Sequence, residues 1–180
     1  VIMDEVYDPM DIANYLIYLA NQAEKNITNL KLQKILYFVN AKYLVDNSGA
    51  PLMTEKFERW AYGPVMYKVY SNFRNFGSRA ITEPAGIYIF KNADPFAAEF
   101  KPFDPESISE NVKQTAKCVF DTLIDKDPFK LVEYTHKESI WSDYKEAIKN
   151  REAPEYENKE LYVYFIKNPQ AQIWEHRAWK

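Results

Sequence analysis

The chain is poor in the residues that most often carry chemistry. Of its 180 residues, one is cysteine and two are histidine. A single thiol, Cys118, cannot close an intrachain disulfide, which fits a reducing, cytoplasmic setting. With His136 and His176 as the only imidazoles, neither a C-x-x-C set nor an H-E-x-x-H zinc site can be assembled. There is no glycine-rich phosphate loop and no G-x-S-x-G turn. Only four glycines occur, and they read as punctuation: Gly49, Gly63, Gly77 and Gly86 each fall between periodic segments. No apolar run approaches the ~20 residues of a membrane span, so no membrane association is expected. The opening VIMDEVYDPM lacks the basic and apolar regions of a secretory signal, and its initial valine reads as a start that is either trimmed or engineered. An excess of positive charge is missing as well. The 23 Lys and Arg face 26 Asp and Glu, a net charge of −3. That balance argues against nucleic acid as the main partner, with Lys31, Lys34, Lys42, Arg74 and Arg79 the nearest thing to a basic patch.

What is abundant is apolar and aromatic. Hydrophobic residues make up 47% of the chain and aromatic ones 16%, with 14 Tyr and 11 Phe. That is enough for one core in which large rings supply much of the packing. The densest pattern is NLKLQKILYFVNAKYL, residues 29–44. At helical spacing Leu32, Leu36, Val39 and Tyr43 share one face, while Leu30, Tyr37, Ala41 and Leu44 share another. Two apolar faces need two sets of neighbours, so a central helix over 28–47 is predicted, capped by Thr28. Its polar edges are Lys31 with Lys42, and Gln33 with Asn40 and Asn47.

Around it the pattern is mostly helical. Ile12, Leu16, Leu19 and Ala23 mark a first helix opened near Pro9 or Asp11. Residues 51–62 suit one or two short strands, and Pro64 is expected to open a helix that ends at Gly77. Residues 78–104 read as a loop with a marginal hairpin, either an insertion or a binding flap. Ser107 and Glu110 have capping-box spacing before the stripe Val112, Val119 and Leu123, among which Cys118 reads as a small core residue. A short helix follows Asp127 and Pro128, and another covers roughly 138–149. The final LYVYFIK suits a helix or a strand almost equally. The fold class expected is α+β, mainly helical. It is a single compact domain over 1–150 built on the central helix with a small antiparallel strand element, and 151–180 is an extension packing on or flanking it.

Three motifs in order carry a resemblance. Lys31, Leu32, Lys34, Tyr37 and Phe38 lie on the central helix; Tyr62, Gly63, Pro64 and Val65 form a turn; Thr135, His136 and Trp141 form a T-H-x-x-x-x-W element. Together they resemble the Panacea domain, the SocA-like antitoxin family that includes phage-associated GepA-type proteins. The resemblance implies an antitoxin that holds a cognate toxin protein inactive by direct contact. It leaves the toxin unspecified, because such domains accompany many unrelated toxins. The alternative is a phage or mobile-element regulator, or a protease adaptor, that binds another protein.

The residues themselves also point to binding rather than catalysis. Pairs such as Asp121 with Asp125, or Asp143 with Glu146, share helix faces as any solvated helix allows. His136 is expected to bond a backbone carbonyl or stack near Trp141. No catalytic residue, cofactor or metal is expected. The candidate partner-binding residues are Gln33, Asn40, Arg59, Trp60, Tyr62, Tyr67, Trp174 and Trp179, with the segment 84–103 as a further contact. For Trp60 and Tyr62 a place in the core stays open, as does a fold-back of Trp174 and Trp179 over the domain. Self-association is left open.

Overall fold

In the computed structural model, which describes residues 5–175, Thr28 accepts a hydrogen bond from the Lys31 N–H at 3.3 Å and starts the helix on which everything else is laid. This helix, α2, spans Asn29–Asp46, and thirteen of its eighteen residues are buried, polar ones included. It follows α1, Pro9–Gln22, whose first turn is capped by Asp8 through the Met10 N–H at 2.9 Å. A two-stranded antiparallel hairpin comes next, β1 over Glu58–Trp60 and β2 over Gly63–Val65, with Arg59 opposite Pro64. Then come α3, Tyr67–Phe73, and a second hairpin, β3 over Ile87–Phe90 and β4 over Ala98–Lys101. The rest is helical: α4 Glu110–Leu123, α5 Pro128–His136, α6 Ser139–Ser142, α7 Lys145–Lys149 and α8 Asn158–Lys167. The fold is therefore α+β, mainly helical, and α1, α3, α4, α5, α8 and β2 all pack on α2. One core joins Leu16, Leu36, Val119, Leu131 and Phe165. The end of the described chain shares it: Trp174 lies against Phe38 and Phe165, with ring centroids 6.4 and 5.6 Å away.

Four local expectations are corrected. Pro64 does not open a helix; it lies in β2, and α3 starts at Tyr67. A fixed φ suits an edge strand as well as a first helical turn, and the positive φ of Gly63 has already turned the chain back beside β1. The helix after residue 104 is capped by Ser109, not Ser107, which closes a separate 3-10 turn, Pro105–Ser107. The stretch 138–149 breaks into α6 and α7, with Asp143 and Tyr144 between them. Cys118 is exposed, because it is one position, roughly 100°, off the buried stripe of Val112, Ala116, Val119 and Leu123. LYVYFIK is helical, within α8.

Leu36 lies midway along α2 with no solvent exposure. A carboxylate there costs several kcal/mol, comparable with the ~5–15 kcal/mol that hold a domain together. Leu36→Asp is expected to abolish the cooperative thermal transition followed by circular dichroism.

Candidate functional site

The three motifs meet at one buried point. Lys34, on α2, is fully enclosed, and its Nζ donates to the Pro64 carbonyl at 2.7 Å. One residue earlier, Gly63 has φ +92, and a Cβ there would stand 2.5 Å from Thr135 Oγ1 and 3.3 Å from Lys34 Nζ. Only glycine fits between them. Thr135 in turn donates to the Val132 carbonyl at 2.7 Å. One turn of α2 beyond Lys34, the Tyr37 hydroxyl donates to Glu138 Oε1 at 2.5 Å, with both side chains buried. Sequence reasoning passed over Glu138; the available signal was an acid inside the T-H-x-x-x-x-W element. Leu32, Phe38 and Val65 are buried, and Lys31 donates to the Ile124 carbonyl at 2.7 Å.

The T-H-x-x-x-x-W element grips the hairpin tip. His136 Nε2 is 2.9 Å from the Ala61 carbonyl, which accepts only, so this nitrogen carries the proton. Its ring stacks on Trp141 at 3.8 Å and 19°, and Trp141 Nε1 donates to the Trp60 carbonyl at 2.9 Å. Burial and the charges of Lys34 and Lys145 bias the imidazole toward neutral, against the Ala61 hydrogen bond, and burial is the largest of these effects.

Three of the expected partner-binding side chains serve the interior instead. Gln33 accepts from the Met66 N–H at 2.8 Å and donates to Asn29 at 3.0 Å, fixing the exit from β2. Asn40 is buried in the same helix. Arg59 donates from Nε to the Ile140 carbonyl, from one terminal nitrogen to the Pro154 and Glu155 carbonyls, and from the other to Glu160 at 2.5 Å. Its guanidinium lies 3.8 and 4.1 Å from the ring centres of Tyr144 and Tyr156. A helix wrapped on all sides buries its polar edge too, which is why Gln33 and Asn40 are not at the surface, while Arg59, on β1, is covered by residues 140–160. Trp174 is buried, and Trp179 lies outside the described residues.

The surface keeps a different set. Tyr62 is 62% exposed at the hairpin tip and Tyr67 52%, while Trp60 is half-buried against Tyr67 and Tyr70. Phe129, which the sequence did not single out, is 60% exposed with its ring centre 6.2 Å from that of Tyr62. The β3–β4 hairpin presents Ile87, Tyr88, Phe90, Phe96 and Phe100 to solvent.

Chemically, the buried amine and acid have unusual protonation but no access. Burial pulls Lys34 down to about 7, against the pull of Glu138. Burial likewise pushes Glu138 up to about 8, against the Tyr37 hydrogen bond and the charge of Lys34. Neither lines the cavities of about 770 and 440 Å³ that lie along β1. Among the described residues no group of three or more His, Cys, Asp or Glu could hold a metal ion, and no helix is long and apolar enough to cross a membrane.

Comparison with known proteins gives two findings. The family model described as "Antitoxin SocA-like, Panacea domain" matches residues 32–142, the region that holds Lys34, Tyr37, the β1–β2 hairpin, Thr135, His136, Glu138 and Trp141. A relative, "Antitoxin SocA" of Caulobacter vibrioides, is 41% identical over 78 residues. The match covers 43% of this chain and 41% of the relative, so the chain spans less than half that protein's length. No solved structure matches.

The Glu138 environment makes a pH prediction. Its folded pKa lies above its ordinary 4.5, so the stability it contributes is fully present below pH 4.5 and is lost as pH rises through about 8. Glu138→Gln keeps an oxygen for Tyr37 and removes that loss. Its stability relative to the parent, from urea unfolding, is expected to climb between pH 5 and about 8; a flat difference contradicts a buried neutral acid.

Proposed function

The chain belongs to the SocA-like, Panacea-domain antitoxin family, and from that premise we propose that it neutralises a cognate toxin protein by direct, non-enzymatic binding. One observation carries the reading for this chain. The family motifs are spent on locking a hairpin, and the side chains left outside that lock are rings on a fixed backbone: Tyr62, Tyr67 and Phe129. Such rings lose little conformational freedom when seated in a partner's pockets, and aromatic anchors dominate interface energies. The toxin therefore seats on the face formed by the hairpin tip, the start of α3 and the start of α5, with Trp60 at its edge. A reaction is not needed for this role. The unusually protonated pair, Lys34 and Glu138, is enclosed and better explained by packing than by catalysis.

The test is co-expression with the product of the neighbouring reading frame, reading growth and co-purification. The expected result is rescue of growth with a stoichiometric complex. The double variant Tyr62→Ala and Phe129→Ala is expected to weaken the complex by at least ~30-fold, the ~2 kcal/mol of an anchor, without lowering the melting temperature. Growth arrest with no complex sinks the reading. His136→Ala separates binding from catalysis: it breaks the hold on Ala61, so a lower melting temperature with binding retained by the folded fraction is expected. Loss of rescue at unchanged stability and unchanged binding indicates a catalytic role instead.

A further inference from the structure

The outer edge of β1 opens into a groove that the fold leaves unfilled. The 770 Å³ cavity lies between β1 and residues 148–155, and the 440 Å³ one continues past it to the start of α3. Glu58 and Glu155 line both, so they stand where the two join. Arg59 also lines the larger cavity, yet its side chain has no exposed area. What Arg59 offers the groove is its main chain. Strand alternation agrees: two residues earlier, and so on the same edge, the Phe57 carbonyl accepts the Tyr156 N–H at 2.8 Å. Past that bond a two-stranded sheet is left with an open edge facing a cleft.

The charges of the cleft are uneven. Lys68 is held by Asp8 and Glu55, and Lys56 by Glu157. Glu58 accepts the Trp60 indole N–H, at 2.7 Å, and among the described residues neither it nor Glu155 is in a salt bridge; Lys56, held by Glu157, acts on Glu155 only through its charge. Arg151 lines the larger cavity and not the smaller one, while Trp60 and Ile148 supply apolar wall.

We propose that this groove receives an extended segment of the toxin, which adds to β1 as a third strand and sets a lysine or arginine between Glu58 and Glu155. The proposal rests on the neutralisation reading and names the contact within it. Main-chain bonds to the Arg59 edge supply affinity, and the paired glutamates select a basic side chain. The groove adjoins the aromatic face through Trp60 and Tyr67, so one partner can engage both.

The probe is a synthetic peptide of alternating valine and lysine, titrated into the isotope-labelled full chain and followed by amide resonances. It is expected to shift the Arg59 amide and to slow its hydrogen exchange. The valine–glutamate counterpart, and the valine–lysine peptide methylated on alternate main-chain nitrogens, are each expected to bind at least about tenfold more weakly. Glu155→Lys, a change on an exposed side chain, is expected to weaken the valine–lysine peptide by a similar factor with no change in melting temperature. An unmoved Arg59 amide, equal binding of the methylated peptide, or indifference to Glu155→Lys overturns the groove. The co-expressed complex separates the two ideas. If it forms and Glu155→Lys leaves it intact, the groove is overturned while neutralisation stands. If no complex forms but the peptide behaves as described, neutralisation fails and the β1 groove remains.

Discussion

A lysine amine closed off from bulk solvent dictates the centre of this molecule. Lys34 is enclosed, so its charge has lost its hydration, and the amine is driven toward neutrality. It still needs an acceptor in a fixed place, and the acceptor is the Pro64 main chain. That requirement passes outward. The Pro64 carbonyl reaches α2 only if β2 runs beside the helix. β2 runs there only if residue 63 can sit against Thr135 without a side chain. The tip that precedes it is then held by His136 and Trp141. Each motif residue is answerable to another, which explains why residues about a hundred positions apart form one unit.

Arg59 solves a similar problem by the opposite route. A guanidinium cannot shed its proton, so burying it demands partners on every side. It has them in three carbonyls, one carboxylate and two tyrosine faces, all drawn from residues 140–160. Lys34 ties the hairpin to the central helix, and Arg59 ties it to the chain's last third. The hairpin is only three residues per strand, far below what would be stable alone. These two buried basic side chains, with Gln33 on the Met66 N–H, make it rigid.

Much of this was legible in the sequence, and the failures share a cause. The two apolar faces of residues 29–44 correctly place α2 at the centre, and Thr28 correctly caps it. The stacking and carbonyl bond of His136 were likewise legible, because a lone histidine at a helix end beside a tryptophan has few other uses. Periodicity went astray where it equated polar with exposed. Gln33, Asn40 and Arg59 are polar and buried because the faces they lie on are also covered, a fact that depends on segments far off in the chain. Cys118 is the mirror case, one residue off a buried stripe and therefore outside. Phe129 is apolar and exposed, which no pattern of spacing would have chosen over its neighbours.

The arrangement also separates what must stay from what can change. Along the hairpin tip the main chain of Trp60 and Ala61 is bonded, and Gly63 is hemmed in, but the Tyr62 side chain between them carries none of these constraints. Substitution there leaves the lock of Lys34, His136 and Trp141 untouched, and exposed positions away from such features change stability little. Because the backbone on either side is fixed, whatever side chain occupies the position is presented in one place and loses little freedom on contact. The buried polar network therefore does more than hold the fold. It also fixes the backbone of the neighbouring surface at positions whose side chains can change at little cost to stability.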